Sequence, residues 1–341
     1  MDIAVYHLVG RTAKTVQMAV RTAGNAARPA ENQTHRRVAW TRRWVFALMA
    51  ALLLPSGVYV PYVRLAFLGD IMLGRGVAEA HAGGDWNTAL HSLSAVTRSA
   101  DLSLANLESP FFCEPSGSSD ARSLAAPPAA AEAVASAGLD VLSTLNNHSL
   151  DAGEPGRKCT KAALSGKGMI ILDSPAAPID LRIRGVGIRL LAFDFTGEVT
   201  GSAFDDLLHS VEDAPAGTVV IVSLHWGMEY QSGHDGGQEN IAALLAAAGA
   251  DIIWGHHPHV VQETEWLEDT LVMYSLGNAL FDQQAPAAVR RGELAWVEAD
   301  RRGVRLHAAV AFAIAARRGR TESPDPLSIR LSFPPSSRGT C

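Results

Sequence analysis

Gly255-His256-His257-Pro258-His259-Val260-Val261 places three histidines in four positions, directly after the apolar run 252–254. The apolar run predicts a buried strand, and neutral imidazole is the commonest metal ligand among protein side chains. Side chains two residues apart on an extended backbone point to the same side, so His257 and His259 are predicted to face one site. The alternative is a polar loop whose histidines are satisfied by hydrogen bonds.

Polar residues also end four apolar runs upstream, at 63–68, 102–105, 141–145 and 219–224. Together the five strand ends supply Asp70, Asn106, Glu108, Asn147, His148, His225, His257 and His259. Helices are predicted between them at 86–99, 129–137, 158–165 and 239–248, with Gly138 and Gly249 as C-terminal stops. This alternation predicts an α/β fold, in which functional groups gather at the carboxyl ends of the strands.

The pattern changes after Gly168, where short strands are joined mostly by tight turns. These strands are predicted at 170–172, 179–183, 187–193, 270–275, 294–299 and 304–312. They indicate a second sheet, mixed or antiparallel, packed on the first.

The polar residues at the strand ends form a set that suits metal binding. Two divalent ions a few ångströms apart need carboxylates that neutralise charge and bridge, with imidazole and amide groups to complete each shell. A strand-end Asp often caps a helix, and Asn146-Asn147 is also typical of a turn. Five such strand ends together favour the metal site over either alternative.

Six motifs in this order resemble those of the CapA family of bacterial poly-γ-glutamate capsule biosynthesis proteins. The motifs are GDIMLGR at 69–75, NLE at 106–108, NNHSLDAG at 146–153, HWGMEY at 225–230, GHHPHVVQ at 255–262 and YSLGN at 274–278. The resemblance covers roughly Val63 to Phe312. It implies a fold similar to the calcineurin-like metallophosphatases, which is a four-layer α-β-β-α sandwich of two mixed sheets.

The resemblance also implies roles for single residues. Asp70 and His259 would bind a first ion, Asn147, His225 and His257 would bind a second, and Glu108 would bridge both in place of the usual Asp. His148 would stay free of metal and act as a general acid. The implied cofactor is one or two divalent ions, with Mn, Fe or Zn expected.

Two positions depart from the family pattern. Met72 stands where the superfamily usually has a histidine ligand, so the first ion loses a nitrogen, and the site could be mononuclear, weaker or completed by another group. Ala279 replaces the usual Phe, with Phe281 nearby. Phosphoesterase activity therefore does not follow from the fold.

Arg75 is predicted to take part in catalysis with His148, and supporting roles are expected for Asn106, Asp151, His256 and Asn278. Arg75 could grip a carboxylate or phosphate bidentately; alternatively it lies on the surface or pairs with Asp151. His256 is expected to orient a neighbour through a hydrogen bond. Asn106 and Asn278 belong to the motifs and complete the expected supporting set.

The charge pattern near the N-terminus suggests a membrane anchor. Residues 1–43 contain eight Lys or Arg and two acids, and the next charge after Arg43 is Arg64. An uncharged interval of about 20 residues is long enough to span a bilayer, and preceding positive charge keeps the N-terminus in the cytoplasm. We therefore predict a disordered basic tail at 1–43, a signal or anchor at 44–63, a domain at 64–316 outside the cytoplasm and a mobile tail at 317–341. The domain would be secreted if the signal were cleaved; a buried core helix is the alternative to the anchor.

Composition limits the partners. The net charge is −6 and the first 43 residues contribute +6, so the remainder is about −12. Without a basic stripe in the body, nucleic acid is not an expected partner. If the body lies outside the membrane, Cys113 and Cys159 could form a disulfide that leaves Cys341 free.

Three functions remain open from the sequence. The first is a membrane-anchored, outward-facing CapA-like protein that serves synthesis, handling or export of an anionic γ-linked glutamate polymer or its precursor through a metal-dependent hydrolase-like site. The second is an extracellular metallophosphoesterase. The third is a non-catalytic partner of a membrane synthase complex.

Overall fold

The computed structural model describes residues 61–113, 124–175, 177–197, 201–315, 320–321 and 329–330. The predicted tail at 1–43 and all but the last three residues of the predicted anchor lie outside these ranges, as does most of the segment 317–341. Val63, the last residue of the predicted anchor, already belongs to the first strand. Among the described residues, no helix combines the length and the apolar character needed to cross a bilayer.

The described chain forms fifteen strands and six α-helices in a mixed order. The strands are β1 (Val63–Ile71), β2 (Leu102–Leu107), β3 (Val141–Ser143), β4 (Ile170–Leu172), β5 (Ile179–Ile183), β6 (Val186–Asp194), β7 (Thr218–His225), β8 (Ile252–His256), β9 (Thr264–Leu267), β10 (Thr270–Met273), β11 (Asn278–Leu280), β12 (Arg291–Asp300), β13 (Gly303–Ala315), β14 (Arg320–Thr321) and β15 (Ile329–Arg330). The helices are α1 (Arg75–Ala80), α2 (Ser94–Thr97), α3 (Ala131–Ala137), α4 (Gly153–Ser165), α5 (Gly201–Glu212) and α6 (Gly236–Ala248).

These strands make two mixed sheets. The nine-stranded sheet has the order β14-β13-β12-β1-β2-β3-β4, with β11 beside β1 and β15 beside β13. The six-stranded sheet has the order β5-β6-β7-β8-β10-β9. Strands β1 to β4 run parallel to one another, as do β6, β7, β8 and β10, whereas β12 and β5 pair antiparallel to their neighbours.

Three apolar clusters define the layers. One joins the inner faces of the two sheets, with Phe67 of β1 against Trp254 of β8 at a ring-centroid distance of 5.6 Å. A second lies between the nine-stranded sheet and helices α1, α3 and α4, and a third between the six-stranded sheet and helices α5 and α6. The fold is therefore the predicted four-layer α-β-β-α sandwich of two mixed sheets.

The division of strands between the sheets differs from the prediction. The strands at 170–172, 294–299 and 304–312 were expected in the second sheet, but β4, β12 and β13 pair within the first. Conversely, β7 and β8 belong to the six-stranded sheet. Since β12 pairs with β1 across more than 200 residues of chain, local turn patterns could not reveal this partner.

The helix predicted at 86–99 is also wrong. The structure has 3₁₀ turns at Trp86–Thr88 and His91–Leu93, followed by the short helix α2. Hydroxyl groups in this stretch bond to carbonyl groups three residues earlier, as Thr88 Oγ1 does to Asp85 O at 2.9 Å and Ser94 Oγ to His91 O at 2.7 Å. Such local bonds compete with regular helix. In contrast, Gly138 and Gly249 end α3 and α6 in the left-handed conformation as predicted.

The strand registers bring the polar strand ends together. Asp70 lies opposite Asn106 in the β1/β2 pair, and His225 lies opposite His256 in the β7/β8 pair. Gly69 permits the close approach of the segment before β11, because a Cβ atom there would lie 1.8 Å from Gly277 O. The carboxyl edges of both sheets thus meet on one side of the molecule, where the candidate site is found.

Candidate metal centre

Two buried carboxylates and one imidazole form the centre of the site. Asp70, Glu108 and His259 each direct one ligand atom inward, and these three atoms lie within 4.8 Å of one another. Asp70 and Glu108 are fully inaccessible to solvent, and His259 is 2% exposed. Two carboxylates and a histidine at this spacing are a donor set that suits a divalent cation.

Asp70 is well satisfied by hydrogen bonds. Its Oδ1 accepts from Asn106 Nδ2 at 2.8 Å, and its Oδ2 accepts from the backbone N–H of His257 at 3.3 Å. Burial disfavours the ionised form, but the hydrogen bond from His259 opposes burial, and the pKa of Asp70 is held below its ordinary value. Asp70 is therefore a carboxylate that the protein itself keeps ionised.

The carboxyl group of Glu108, in contrast, is poorly satisfied by hydrogen bonds. Its Oε2 is buried without a hydrogen-bond partner, while Oε1 receives only a long bond of 3.3 Å from Asn106 Nδ2. Burial raises the pKa of Glu108 well above its ordinary value, and the nearby charge of Asp70 raises it further. A buried acceptor that the protein leaves unsatisfied is costly, and a cation would relieve both the lost hydration and the repulsion.

His259 is oriented by Asn278. Asn278 Nδ2 donates to Val289 O at 2.9 Å, which fixes the amide so that its Oδ1 faces His259 Nδ1 at 3.1 Å. His259 therefore donates from Nδ1, and the lone pair on Nε2 is left toward Glu108 Oε2, 3.8 Å away. Outer hydrogen bonds of this kind orient histidine ligands in metal sites.

A second group of polar atoms lies beside Glu108. His225 Nε2 is 2.9 Å from Asn147 Oδ1 and 3.8 Å from Glu108 Oε1. Burial lowers the pKa of His225 well below its ordinary value, so its ring is neutral. The ring of His257 lies 4.8 Å from that of His225, and burial also lowers its pKa. His225 thus lies beside Asn147, His257 and Glu108, which are the residues expected at a second cation.

The histidine segment is a turn rather than the extended strand that was predicted. Strand β8 ends at His256, and His257 and His259 have positive φ angles of 96° and 58°. Left-handed backbone is uncommon for residues other than glycine and is concentrated at functional sites. Both rings nevertheless reach the same region, with centroids 6.1 Å apart.

His256 does not make the hydrogen bond expected of it. Its ring is fully buried, both ring nitrogens lack a hydrogen-bond partner, and Nδ1 lies 3.6 Å from Asp70 Oδ1. Burial lowers the pKa of His256 to about 4. The ring packs edge-on to Trp254 at 4.3 Å, so its clearest role is to fill the space behind Asp70.

His148 stands at the rim instead of among the buried atoms. Its Nδ1 lies 3.0 Å from Asp151 Oδ2, and 22% of its side chain is exposed. Asp151 is held in turn by the backbone N–H of Leu124 at 2.7 Å. A carboxylate behind an imidazole fixes the orientation of the ring, which is the arrangement needed for a proton donor.

Arg75 also lies at the rim, and its partner differs from the one considered in the sequence. Its Nη2 pairs with Asp282, not with Asp151, and Asp282 also accepts the backbone N–H of Gly76 at 3.1 Å. The guanidinium lies over the ring of Phe281, 5.6 Å from the centroid, and Phe281 packs edge-on to His259 at 4.7 Å.

The two departures from the family pattern are both explained by packing. Met72 is fully buried in the apolar cluster beneath helices α1, α3 and α4, so position 72 supplies packing where a histidine ligand was expected. Ala279 is buried in β11, and the aromatic contact with His259 comes from Phe281.

Sequence reasoning missed two residues. Asn146 was given no role beyond its place in a motif, with a turn as the alternative, but its Nδ2 donates to Asn106 Oδ1 at 3.2 Å and to Leu107 O at 2.9 Å, which ties the β3 end to β2. Its place in the Asn-Asn-His motif was a usable signal. Asp282 lies in no motif, so its ion pair with Arg75 had no signal in the sequence.

The similarity to solved structures is distant. A hypothetical protein from Thermus thermophilus is 16% identical with a TM-score of 0.45, over 80% of this chain and all of that chain. Purple acid phosphatase PPD1 from yellow lupin seeds is 10% identical with a TM-score of 0.37, over 78% of this chain and 53% of that chain.

Sequence relatives are closer. PGA biosynthesis protein CapA of Bacillus subtilis (strain 168) is 28% identical over 271 residues, covering 70% of this chain and 70% of that protein. Capsule biosynthesis protein CapA of Bacillus anthracis is 31% identical over 247 residues, covering 65% of this chain and 60% of that protein. The family described as Bacterial capsule synthesis protein PGA_cap matches residues 64–283. The resemblance seen in the six motifs is thereby confirmed, and the chain belongs to this family of bacterial capsule synthesis proteins.

Proposed function

We propose that this chain is a membrane-anchored protein of poly-γ-glutamate capsule synthesis whose outward-facing domain hydrolyses bonds of the γ-linked polymer or its precursor at a divalent-metal centre. The observation on which this rests is the buried set of Asp70, Glu108 and His259, in which Glu108 Oε2 has no partner from the protein. The involvement in poly-γ-glutamate synthesis is supported by the two CapA relatives.

The location outside the cytoplasm has two supports. The uncharged interval at 44–63 follows four arginines at 36–43 and fits a signal or anchor that exports the domain after it. Cys113 and Cys159 form a disulfide with a Cα–Cα distance of 5.7 Å. Disulfides persist in oxidising compartments, so the pair favours an extracytoplasmic domain.

Two groups of residues would hold the metal. Asp70 and His259 Nε2 would bind one ion, Asn147, His225 and His257 a second, and Glu108 would contact both. A bound divalent ion supplies positive charge and Lewis acidity, which make water a nucleophile near neutral pH and polarise the group under attack. Ions at these positions would also offset the negative charge that an acidic polymer meets in an acidic domain.

The chain's own residues supply the proton chemistry. When water adds to the carbonyl carbon of a γ-linked amide and the carbon–nitrogen bond breaks, the leaving nitrogen has to gain a proton. His148 is the partly exposed imidazole at the rim, and Asp151 Oδ2 accepts from its Nδ1, which leaves Nε2 as the position that delivers the proton. General acid catalysis of this kind contributes about 10²–10⁴ in rate.

Metal content tests the proposal directly. Elemental analysis of the purified full chain is expected to find one or two equivalents of a divalent metal, which are lost in the Asp70→Ala/His257→Ala double variant. Asp205→Ala/His209→Ala is the matched control, because these two residues lie outside the site on helix α5 and the control should keep its metal. No metal in the wild-type protein, or equal metal in all three proteins, would contradict the proposal.

Turnover then separates the three functions. The metal-loaded full chain is incubated with a γ-linked glutamate oligomer and, separately, with a phosphate ester. Cleavage of the oligomer is the expected result. Cleavage of the ester alone would indicate a metallophosphoesterase, and bound metal without turnover on either substrate would indicate a non-catalytic partner of a synthase complex.

A further inference from the structure

The rim of the metal centre carries a cation that the proposed chemistry does not use. Arg75 begins helix α1 with a positive φ of 44°, just after the strand that supplies Asp70. The ring of Phe281 lies between its guanidinium and His259, since the guanidinium lies over Phe281 and Phe281 packs against His259. A ligand bound at the metal centre would therefore pass within reach of this guanidinium.

Arg75 has donors left for a ligand. A guanidinium has five N–H donors, and the ion pair with Asp282 occupies Nη2. Nε is buried and has no hydrogen-bond partner, while 32% of the side chain remains exposed. An arginine that is held in place on one side and open on the other is suited to receive an anion.

Tyr230 also lies close to His259, and a backbone hydrogen bond to Pro258 holds it there. Its backbone N–H donates to Pro258 O at 2.8 Å, and its ring centroid is 6.3 Å from that of His259. Gln283 connects Tyr230 with Asn278, because its Nε2 donates to Tyr230 Oη at 3.3 Å while its Oε1 accepts from Asn278 Nδ2 at 3.1 Å. Tyr230 is 42% exposed, and the carboxylate of Glu229 lies beside its hydroxyl group.

We propose that Arg75 and Tyr230 form a carboxylate-binding subsite beside the metal centre, which holds a free carboxylate of the substrate next to the bond that is cleaved. The choice of a γ-linked glutamate polymer as this substrate rests on the proposed function. Each residue of such a polymer has a free α-carboxylate close to its γ-amide bond. The subsite would thus recognise the feature that distinguishes a γ-linked chain from an ordinary peptide.

The planar guanidinium of arginine can bind either a carboxylate or a phosphate through two hydrogen bonds, so the test includes a ligand of each kind. Isothermal titration calorimetry on the metal-loaded full chain measures binding of three probes: a γ-linked glutamate oligomer with free α-carboxylates, the same oligomer with these groups converted to primary amides, and inorganic phosphate. The proteins are wild type, Arg75→Gln, Arg75→Lys and Tyr230→Phe. Arg157→Gln is the matched control, since Arg157 is a partly exposed arginine with carboxylate partners of its own, Glu154 and Asp173.

Arg75→Gln is expected to weaken binding of the free-acid oligomer about 10- to 100-fold, because a hydrogen bond to a charged group is lost. Binding of the amidated oligomer should stay the same, which also shows that the variant is folded. Arg75→Lys should recover only part of the lost affinity, since lysine restores the positive charge without the planar guanidinium. Tyr230→Phe should show a smaller loss, and Arg157→Gln none.

Two results would overturn the proposal. One is an Arg75→Gln protein that still prefers the free-acid oligomer over the amide as strongly as wild type. The other is phosphate binding that depends on Arg75 while binding of the oligomer does not, which would assign the subsite to phosphate. Failure of the proposed function would look different, because a loaded wild-type protein that does not cleave the oligomer could still show the Arg75-dependent preference.

Discussion

Glu108→Gln should reverse the order of stability between metal-free and metal-loaded protein. In the absence of metal, Glu108 is a buried carboxylate with Oε2 unpartnered and with Asp70 beside it. A glutamine keeps the bond from Asn106 to Oε1 and places its amide nitrogen on the side of His259 Nε2, which lies 3.8 Å from the present Oε2. The substitution thus replaces a buried carboxyl group, whose ionised form burial and Asp70 disfavour, with a neutral group of the same shape.

The size of the effect can be worked out from the two states. An unsatisfied buried polar group costs about 1–3 kcal/mol and more when charged, so the metal-free variant should be about 2 kcal/mol more stable than wild type. For a domain of this size that corresponds to a rise in Tm of roughly 4–8 °C. Metal at about 1,000 times its Kd stabilises the wild-type protein by about 4.1 kcal/mol. A variant without the bridging carboxylate gains much less, so wild type becomes the more stable of the two.

Thermal unfolding of the full chain by circular dichroism, in chelator and in excess metal, measures both differences. Glu79→Gln is the matched control, because Glu79 is exposed on helix α1 and its substitution should change Tm equally little in both conditions. If Glu108→Gln lowered Tm in chelator, or if metal raised the Tm of the variant as much as that of wild type, Glu108 would not be an unsatisfied bridging ligand.

Three further predictions concern other parts of the chain. His148→Ala should lower kcat on the oligomer about 10²- to 10⁴-fold while elemental analysis finds unchanged metal; parallel loss of metal would make His148 a ligand. Asp251→Asn should remove a pH dependence of stability: burial raises the pKa of Asp251 to about 6, so wild type loses stability as pH rises from about 4 to about 6. In unfolding measured across pH, the variant should be about 3 kcal/mol more stable at pH 7 and equal at pH 4. The Asn still accepts from Val220 N–H, so a variant that is less stable at pH 7 would contradict this account. Replacing Cys113 and Cys159 with Ala should cost about 4 kcal/mol, from the entropy of a loop with a sequence separation of 46, and a reductant should lower the Tm of wild type but not of the variant.

The strand ends could be predicted because each of them is a local signal. Apolar runs that end in Asp70, Glu108 or His225 are visible in single segments, and parallel strands bring such ends to one edge whatever the order of the strands. Six motifs in family order then supplied the fold. For these reasons the four layers and the grouping of Asp70, Glu108 and His259 were both accessible from the sequence.

The remaining features depend on contacts between distant segments. Pairing of β12 with β1 joins residues far apart in the chain, and the ion pair of Arg75 with Asp282 spans a separation of 207 residues. The positive φ angles of His257 and His259 depend on the packing around the turn, so an alternating pattern suggested an extended strand instead. Burial without a partner, as at Glu108 and His256, likewise has no sequence signature.

The proposed metal ligands come from both sheets. Asp70 and Glu108 come from the nine-stranded sheet, whereas His225, His257 and His259 follow strands of the six-stranded sheet. An ion bound between them would join the two sheets at their carboxyl edges, so a purely structural role and a hydrolytic role need the same ligands. The two roles differ at the rim. An ion that only joins the sheets needs neither the partly exposed His148, backed by Asp151, nor Arg75 with free donors beside it. Because both side chains are partly exposed and pair with Asp151 and Asp282 rather than with the proposed ligands, the rim favours the hydrolytic role.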